Sequence, residues 1–317
     1  MASFDAVNYL IRPNKSVERK LIFDTFAQLK KNFDISSYTY IGMGSMWFID
    51  FVMAHRNIGI SKLVSFEHPD HSNRAKFNCP YKAIEVRGET VSEGIKSLDW
   101  QQNSIVWLDY DTGPEGPALE DVGYLAQRMS PGSFLLVTLN AHVGRLPDKD
   151  SQGNSISRHE ALSQLMGEFA PDENEFPNLN LKQYPLALAK ALTLCIERET
   201  RRSSRGIEFR PFMNFKYSDN APMITIGGIF LDASTKKKFL ENEHIHNSNY
   251  LNNQLFEINI PHLTQKERAV LDSLLPDQAG ISEAKFEEIC GFRISQKSLN
   301  GYSEFYKLYP VFGEVLL

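Results

Sequence analysis

Apolar residues recur along this chain in two rhythms. In "NKSVERKLIFDTFAQLKKNF", Val17, Leu21, Phe26, Leu29 and Phe33 fall at helical spacing after Pro13. That spacing predicts a helix over about Val17–Phe33, lying on a core with its charged side wet. Short apolar runs then follow, each ending in polar or small residues: "YTYIGMG", "KLVSFE", "KAIEV", "SIVWLDYD" and, after Pro131, "GSFLLVTLNA". Near-continuous runs of this length suit strands covered on both faces, as in a parallel sheet. The segments between them suit crossovers. "SMWFIDFVMAHRNIG" is apolar at helical spacing and closes on Gly59, "ETVSEGIKSLDW" is a shorter helix, and "ALEDVGYLAQRMS" leads from the fourth run to the fifth. Strand and helix alternating through short links predict a doubly wound α/β sheet.

Beyond about Asp148 the rhythm changes. "SRHEALSQLMGEF" and "YPLALAKALTLCIERETRR" read as helices, and "IEFRPFMNFKY" and "PMITIGGIFLD" as strands. The link "SDNA" is short enough for an antiparallel hairpin. Residues 233–317 read as mostly helical and polar, punctuated by Pro261 and Pro276. The expected organisation is a helical segment over 1–34, an α/β domain over 35–232 with a helical insertion at about 150–205, and a helical extension over 233–317.

Composition narrows the class. Of 317 residues, 34 are Lys or Arg and 39 are Asp or Glu, a formal charge of −5. Such a balance disfavours a chain built to coat nucleic acid, although "ERETRRSSRGIEFR" is a local basic stretch. The cysteines Cys79, Cys195 and Cys290 are far apart and form neither a disulfide framework nor a zinc motif. No apolar stretch approaches the roughly 20 residues of a membrane span. The expectation is a soluble cytoplasmic protein.

The ends of the apolar runs carry the candidate chemistry. Gly42 and Gly44 follow the first run, where a turn without Cβ atoms lets backbone N–H groups approach an anionic ligand. A structural turn accounts for the same pair of glycines. Glu67 ends the second run, 25 residues beyond Gly42, at the spacing of a carboxylate that accepts ribose hydroxyls. Glu89 lies just past the third run, and Asp109, Tyr110 and Asp111 close the fourth in a Gly/Pro-rich loop. Asp109, Asp111 and Asn140 are oxygen groups of the type that suits a hard cation, but strand ends carry such sets without metal, and no metal site is assigned.

The order of these motifs resembles class I S-adenosylmethionine-dependent methyltransferases, through "YIGMGS", "SFEHPD", "VRGET", "WLDYD" and the late hairpin. More narrowly, "IRPNKSVERKLI" followed by "YIGMGSMWFIDFVMAHRNIGISKLVSFE" is similar to a bacterial group of O-methyltransferases. The resemblance implies a Rossmann-like seven-stranded sheet of order 3-2-1-4-5-7-6 with strand 7 antiparallel. It also implies S-adenosylmethionine as the cofactor: Gly42 and Gly44 at its methionine part, Glu67 at the ribose, with His68 beside the adenine and Glu89 at the adenine amino group. Asp109 would lie at the methyl-transfer edge, where Asp109 or Asp111 would be catalytic, as the base or in orienting the acceptor, with Tyr110 at the substrate. The basic residues Arg12, Lys15 and Arg19 are read either as part of a lid, with Arg12 or Lys15 meeting an acidic group of the donor or acceptor, or as the solvated face of an ordinary packing helix. The chain departs from the pattern at Met46, where a third glycine is usual, and no acidic residue opens the first strand. Neither the Asn/Asp-Pro-Pro-Tyr signature of amino-methylating DNA enzymes nor a paired catalytic cysteine is present, so the acceptor stays unassigned. Two other classes share the glycine turn: a nicotinamide oxidoreductase, which should carry Gly-x-Gly-x-x-Gly, and a noncatalytic nucleotide-binding or assembly module.

Overall fold

The computed structural model describes residues 11–115 and 117–311. Its centre is one eight-stranded sheet: β1 (Thr39–Gly42), β2 (Lys62–Phe66), β3 (Ile84–Arg87), β4 (Ser104–Asp109), β5 (Phe134–Asn140), β6 (Glu208–Ser218), β7 (Pro222–Leu231) and β8 (Asn252–Glu257), in spatial order β3-β2-β1-β4-β5-β7-β6-β8. The first five strands are parallel, and β7 runs antiparallel to both β5 and β6. The expected order 3-2-1-4-5-7-6 is present. The correction is the eighth strand: β8 pairs parallel with β6 at the sheet edge, inside the segment read as mostly helical.

The strands divide the core by their two-residue period. Tyr40, Ile105, Trp107, Phe134 and Leu136 face one hydrophobic layer. Ile41, Val106, Leu108, Leu135 and Val137 face the other. The first layer is covered by α1 (Pro13–Leu29) and by α2 (Ile49–Met53), which continues through one π turn to Ile58. The crossovers α3 (Pro69–Asn78) and α4 (Val91–Gly94) flank β3 in the chain, and α5 (Ala118–Ala126) covers the second layer. The insertion supplies α6 (Arg158–Met166) and α7 (Gln183–Arg202), and α7 packs on β6 and β7. After β7 come α8 (Ala233–Leu240) and α9 (Glu243–Asn247). Beyond β8, α10 (Gln265–Leu274), α11 (Glu283–Cys290) and α12 (Gln296–Phe305) enclose a small core of their own around Leu271, Phe286 and Tyr302.

Two expectations about the N-terminal segment change. Its helix starts at Pro13 and ends at Leu29 rather than running from Val17 to Phe33. It has no generally wet charged side, because Asn14, Lys15, Glu18 and Arg19 are buried along with Val17, Ile22 and Phe26. Residues 1–10 of the expected lid lie outside the described residues. What is described is a covering helix, with Asn14 Oδ1 accepting from Ile260 N at 2.8 Å and Lys20 Nζ donating to Leu308 O at 2.7 Å. Among the described residues no helix is long and apolar enough to cross a membrane.

Candidate active site

The turn after β1 is held by the protein's own packing. Gly44 N donates to Ser65 Oγ at 3.0 Å, and Phe48 N donates to Gly44 O at 2.8 Å. A Cβ on Gly44 would stand 2.5 Å from the Phe48 ring and 2.7 Å from Ser65 Oγ, and one on Gly42 would stand 3.1 Å from Trp107 O. The glycines therefore admit a ring, a hydroxyl and a neighbouring strand. Ser45 and Phe48 take up the turn with φ of 53° and 49°, in the left-handed region that costs a non-glycine residue about 1–2 kcal/mol. Backbone strain of this kind concentrates at functional sites.

Beside this turn, beyond the carboxyl ends of β1, β2 and β4, lies a cavity of about 290 Å³. Gly44, Ser45, Glu67, His68, Asp109, Tyr110 and Asp111 all border it, so one wall gathers most of the strand-end residues singled out from sequence. Gly42, Glu89, Arg12 and Lys15 are not on that wall. Glu89 is paired with Arg87 at 3.9 Å beyond β3, and Arg12 Nε stands 3.7 Å from Asp219 Oδ2. Lys15 lies behind the wall, wholly buried, with Nζ 2.8 Å from Asp109 Oδ1.

Two charged lining residues carry no signal in the glycine and strand-end motifs. Arg19 reaches the cavity from α1, and Asp50 from α2. Arg19 is buried, and its Nε has no hydrogen-bond partner among the described residues. Asp50 accepts from the Tyr40 hydroxyl at 2.7 Å, and burial raises its pKa against the opposing pull of Arg19 and Tyr40.

The carboxylates of the wall are tuned apart. Burial pushes Glu67 up to about 7, against a main-chain hydrogen bond from Ser45 and with Asp50 adding to the rise. Its Oε1 is shielded and has no hydrogen-bond partner among the described residues. Burial alone would raise Asp109 as well, but Lys15, Arg19 and Arg12 outweigh it and hold this carboxyl below the ordinary value. Asp109 is therefore a persistent anion and a weak proton acceptor. Asp111 is exposed. The Tyr110 hydroxyl is committed to Asp121 Oδ2 at 2.8 Å.

At the mouth, His68 is exposed and caps α3, its Nδ1 accepting from Asp70 N at 3.3 Å. Asn140 is used in loop closure, its Oδ1 accepting from His142 N at 3.0 Å. Among the described residues no group of three or more His, Cys, Asp or Glu is arranged to hold a metal. The basic stretch near Arg202 is compensated internally. Arg201 pairs with Glu197, Arg202 with Glu168 and Glu199, and Arg205 donates to the carbonyls of Ala126, Arg128 and Met129.

Residues 7–317 match the profile of a family described as "Putative O-methyltransferase". The chain belongs to this methyltransferase family. No curated protein matches it in sequence. Solved structures similar to it include the plantazolicin methyltransferase BamL, in complex with a desmethyl analogue and S-adenosylhomocysteine. That structure is 12% identical over 68% of this chain and 85% of its own, with a TM-score of 0.41. An S-adenosylmethionine-dependent methyltransferase from Mesorhizobium loti is 13% identical over 63% of this chain and 95% of its own, with a TM-score of 0.37.

Proposed function

We propose that the cavity holds S-adenosylmethionine and that the chain transfers its methyl group to an oxygen of an acceptor molecule. The observation that carries this reading is the pair Arg19 and Glu67. One cavity is bordered by a buried guanidinium and a largely buried carboxylate, each with a polar atom that lacks a hydrogen-bond partner among the described residues. A guanidinium suits the carboxylate at the amino-acid end of the donor. A carboxylate suits the two hydroxyls of its ribose, which backbone donors cannot serve. When bound, the donor supplies a methyl group on positively charged sulfur.

Asp109, kept anionic, attracts the positively charged part of the donor rather than taking a proton. Asp111, exposed at the rim, is placed to pass the acceptor's proton to solvent. His68 stands beside Glu67, on the adenine side of the reading. Glu89 stands outside the cavity, and its role at the adenine would require the loop after β3 to approach. Three free thiols fit a reducing, cytoplasmic compartment.

Calorimetry with S-adenosylhomocysteine tests the donor site. Arg19→Met and Glu67→Gln should each weaken binding about tenfold or more, the loss of one charged contact. Unchanged affinity in both variants would sink the assignment. Transfer of a labelled methyl group into fractionated cell extracts then separates an enzyme from a binder and names the acceptor class.

A further inference from the structure

The motif "RPNKSVERK" at the start of α1 has a second use, apart from the residues that border the cavity. Lys15, Glu18 and Arg19 are spaced i, i+3 and i+4, so they share one helix face. Arg19 reaches the cavity, whereas Lys15 and Glu18 are 0% exposed behind it. Lys15 Nζ lies 2.8 Å from Glu18 Oε2 and 2.8 Å from Asp109 Oδ1, over the rings of Trp107 at 4.6 Å and Tyr217 at 5.3 Å.

Behind Glu18 runs a chain of hydrogen bonds that starts from an indole N–H. Trp107 Nε1 can only donate, and it donates to Thr138 Oγ1 at 3.0 Å. The Thr138 and Thr225 hydroxyls are 2.8 Å apart, and Thr225 donates to Glu18 Oε1. Burial raises the pKa of Glu18, and the Lys15 ammonium beside Oε2 and the Thr225 hydroxyl on Oε1 pull it back toward the anion, so Lys15 stands between two carboxyl oxygens.

We propose that Lys15 is a positioning residue for methyl transfer: clamped by Glu18 and the Trp107–Thr138–Thr225 chain, it holds Asp109 ionised and in one orientation at the cavity wall. The inference rests on the methyl-donor reading for the use of Asp109, but not for the state of Asp109. It also reassigns Lys15, which cannot meet an acceptor from a fully buried position.

Several other groups act on the same carboxyl. Arg12 and Arg19 of α1 pull it toward the anion, as Lys15 does. Asp50, Tyr40, Glu18 and Tyr217 each feel its charge in turn. The test must therefore remove Lys15 without stranding another charge. Lys15→Met combined with Glu18→Gln does so, since both charges of the couple leave together and side-chain volume is kept.

In ligand-free protein, the ¹³C carboxyl signal of Asp109, assigned through Asp109→Asn, should titrate below the ordinary carboxylate value in the native chain. Its midpoint should rise by about one pH unit or more in the double variant, because burial then acts unopposed. S-adenosylhomocysteine affinity should fall several-fold in the double variant, because Asp109 is no longer held in one orientation, and by less than about twofold when the same changes enter the Asp109→Asn background. An equal loss in both backgrounds overturns the proposal. So does a native Asp109 that titrates at or above the ordinary value, a result that needs no variant to fold. If the native protein binds no S-adenosylhomocysteine, the donor reading fails alone, and the carboxyl titration still decides what Lys15 does.

Discussion

Glu67 ends β2 in surroundings that favour its neutral form, yet the role proposed for it needs the anion. With a pKa of about 7 in the folded chain against an ordinary 4.5, it binds more protons folded than unfolded between those values. Its contribution to stability is therefore largest on the acid side and declines as pH rises from 4.5 to 7, by on the order of 3 kcal/mol in all. Ligand-free protein should melt at higher temperature near pH 6 than near pH 7.5 through this group, and Glu67→Gln should flatten that part of the profile. Donor binding should show the opposite slope, since accepting two hydroxyl protons requires the ionised carboxyl. Affinity for S-adenosylhomocysteine should rise several-fold between about pH 6 and pH 8. A calorimetric series in which affinity is flat or falls over that range would exclude a ribose role. Glu67 and Asp109 were legible in the sequence because a polar residue at the end of an apolar run stands at the ligand-binding edge of such a sheet. Arg19 and Asp50 were not, because each sits in a helical stretch where a charge reads as a wet face. Only the three-dimensional crowding around α1 turns that face inward.

α1 begins with a deficit common to all helices: its first N–H groups have no partner within the helix. Pro13 at the first position has no N–H to satisfy, and Arg12 provides no side-chain cap. The cap comes from the β6–β7 turn. Asp219 Oδ1 accepts from Asn14 N at 2.9 Å and Asp219 Oδ2 from Lys15 N at 3.1 Å, placing a negative charge at the positive end of the helix. Asp219→Ala should cost about 1–2 kcal/mol, and thermal unfolding would register it as a clear drop in midpoint. An effect below about 0.5 kcal/mol would mean that another group or water takes over the cap. A local reading of the sequence cannot see such a contact, because the capping residue lies 205 positions away. β8 escaped for a different reason. "NNQLFE" has no fully buried position, so the alternation that marks other strands is absent, and pairing with β6 alone makes it a strand.

Across the whole molecule, the C-terminal segment braces the front of the fold. β8 covers the edge of β6, Ile260 and Leu308 bind residues of α1, and Asn242 Nδ2 donates to Gln28 O at 3.2 Å. A chain ending before Asn249 should keep the parallel strands but expose the β6 edge and the outer side of α1. An unpaired strand edge is a template for association. Sedimentation of that truncated chain should show self-association and scanning calorimetry a lower midpoint. A stable monomer with native melting would show that the extension only decorates the sheet. The alternation of strands and helices made the parallel core legible from sequence, and the family resemblance supplied the strand order. The bracing was not legible, because polar helices joined by loops carry no sign of the distant surface they cover.

The contact between Asn14 and Ile260 spans 246 residues, and it sets an order of events as the polypeptide is made. At about 5–20 residues per second of synthesis, α1 leaves the ribosome some 10–50 s before Ile260 exists to bind it. In that interval the partners of Lys15 and Glu18 appear in turn, Trp107 and Asp109 first, then Tyr217 and Thr225. The parallel strands and their crossovers are complete earlier and already present much of the surface on which the helix packs. The last of the contacts that seat α1 therefore arrives near the end of translation, and a chain interrupted before β7 presents Lys15 and Glu18 without the Thr225 hydroxyl that bonds Glu18.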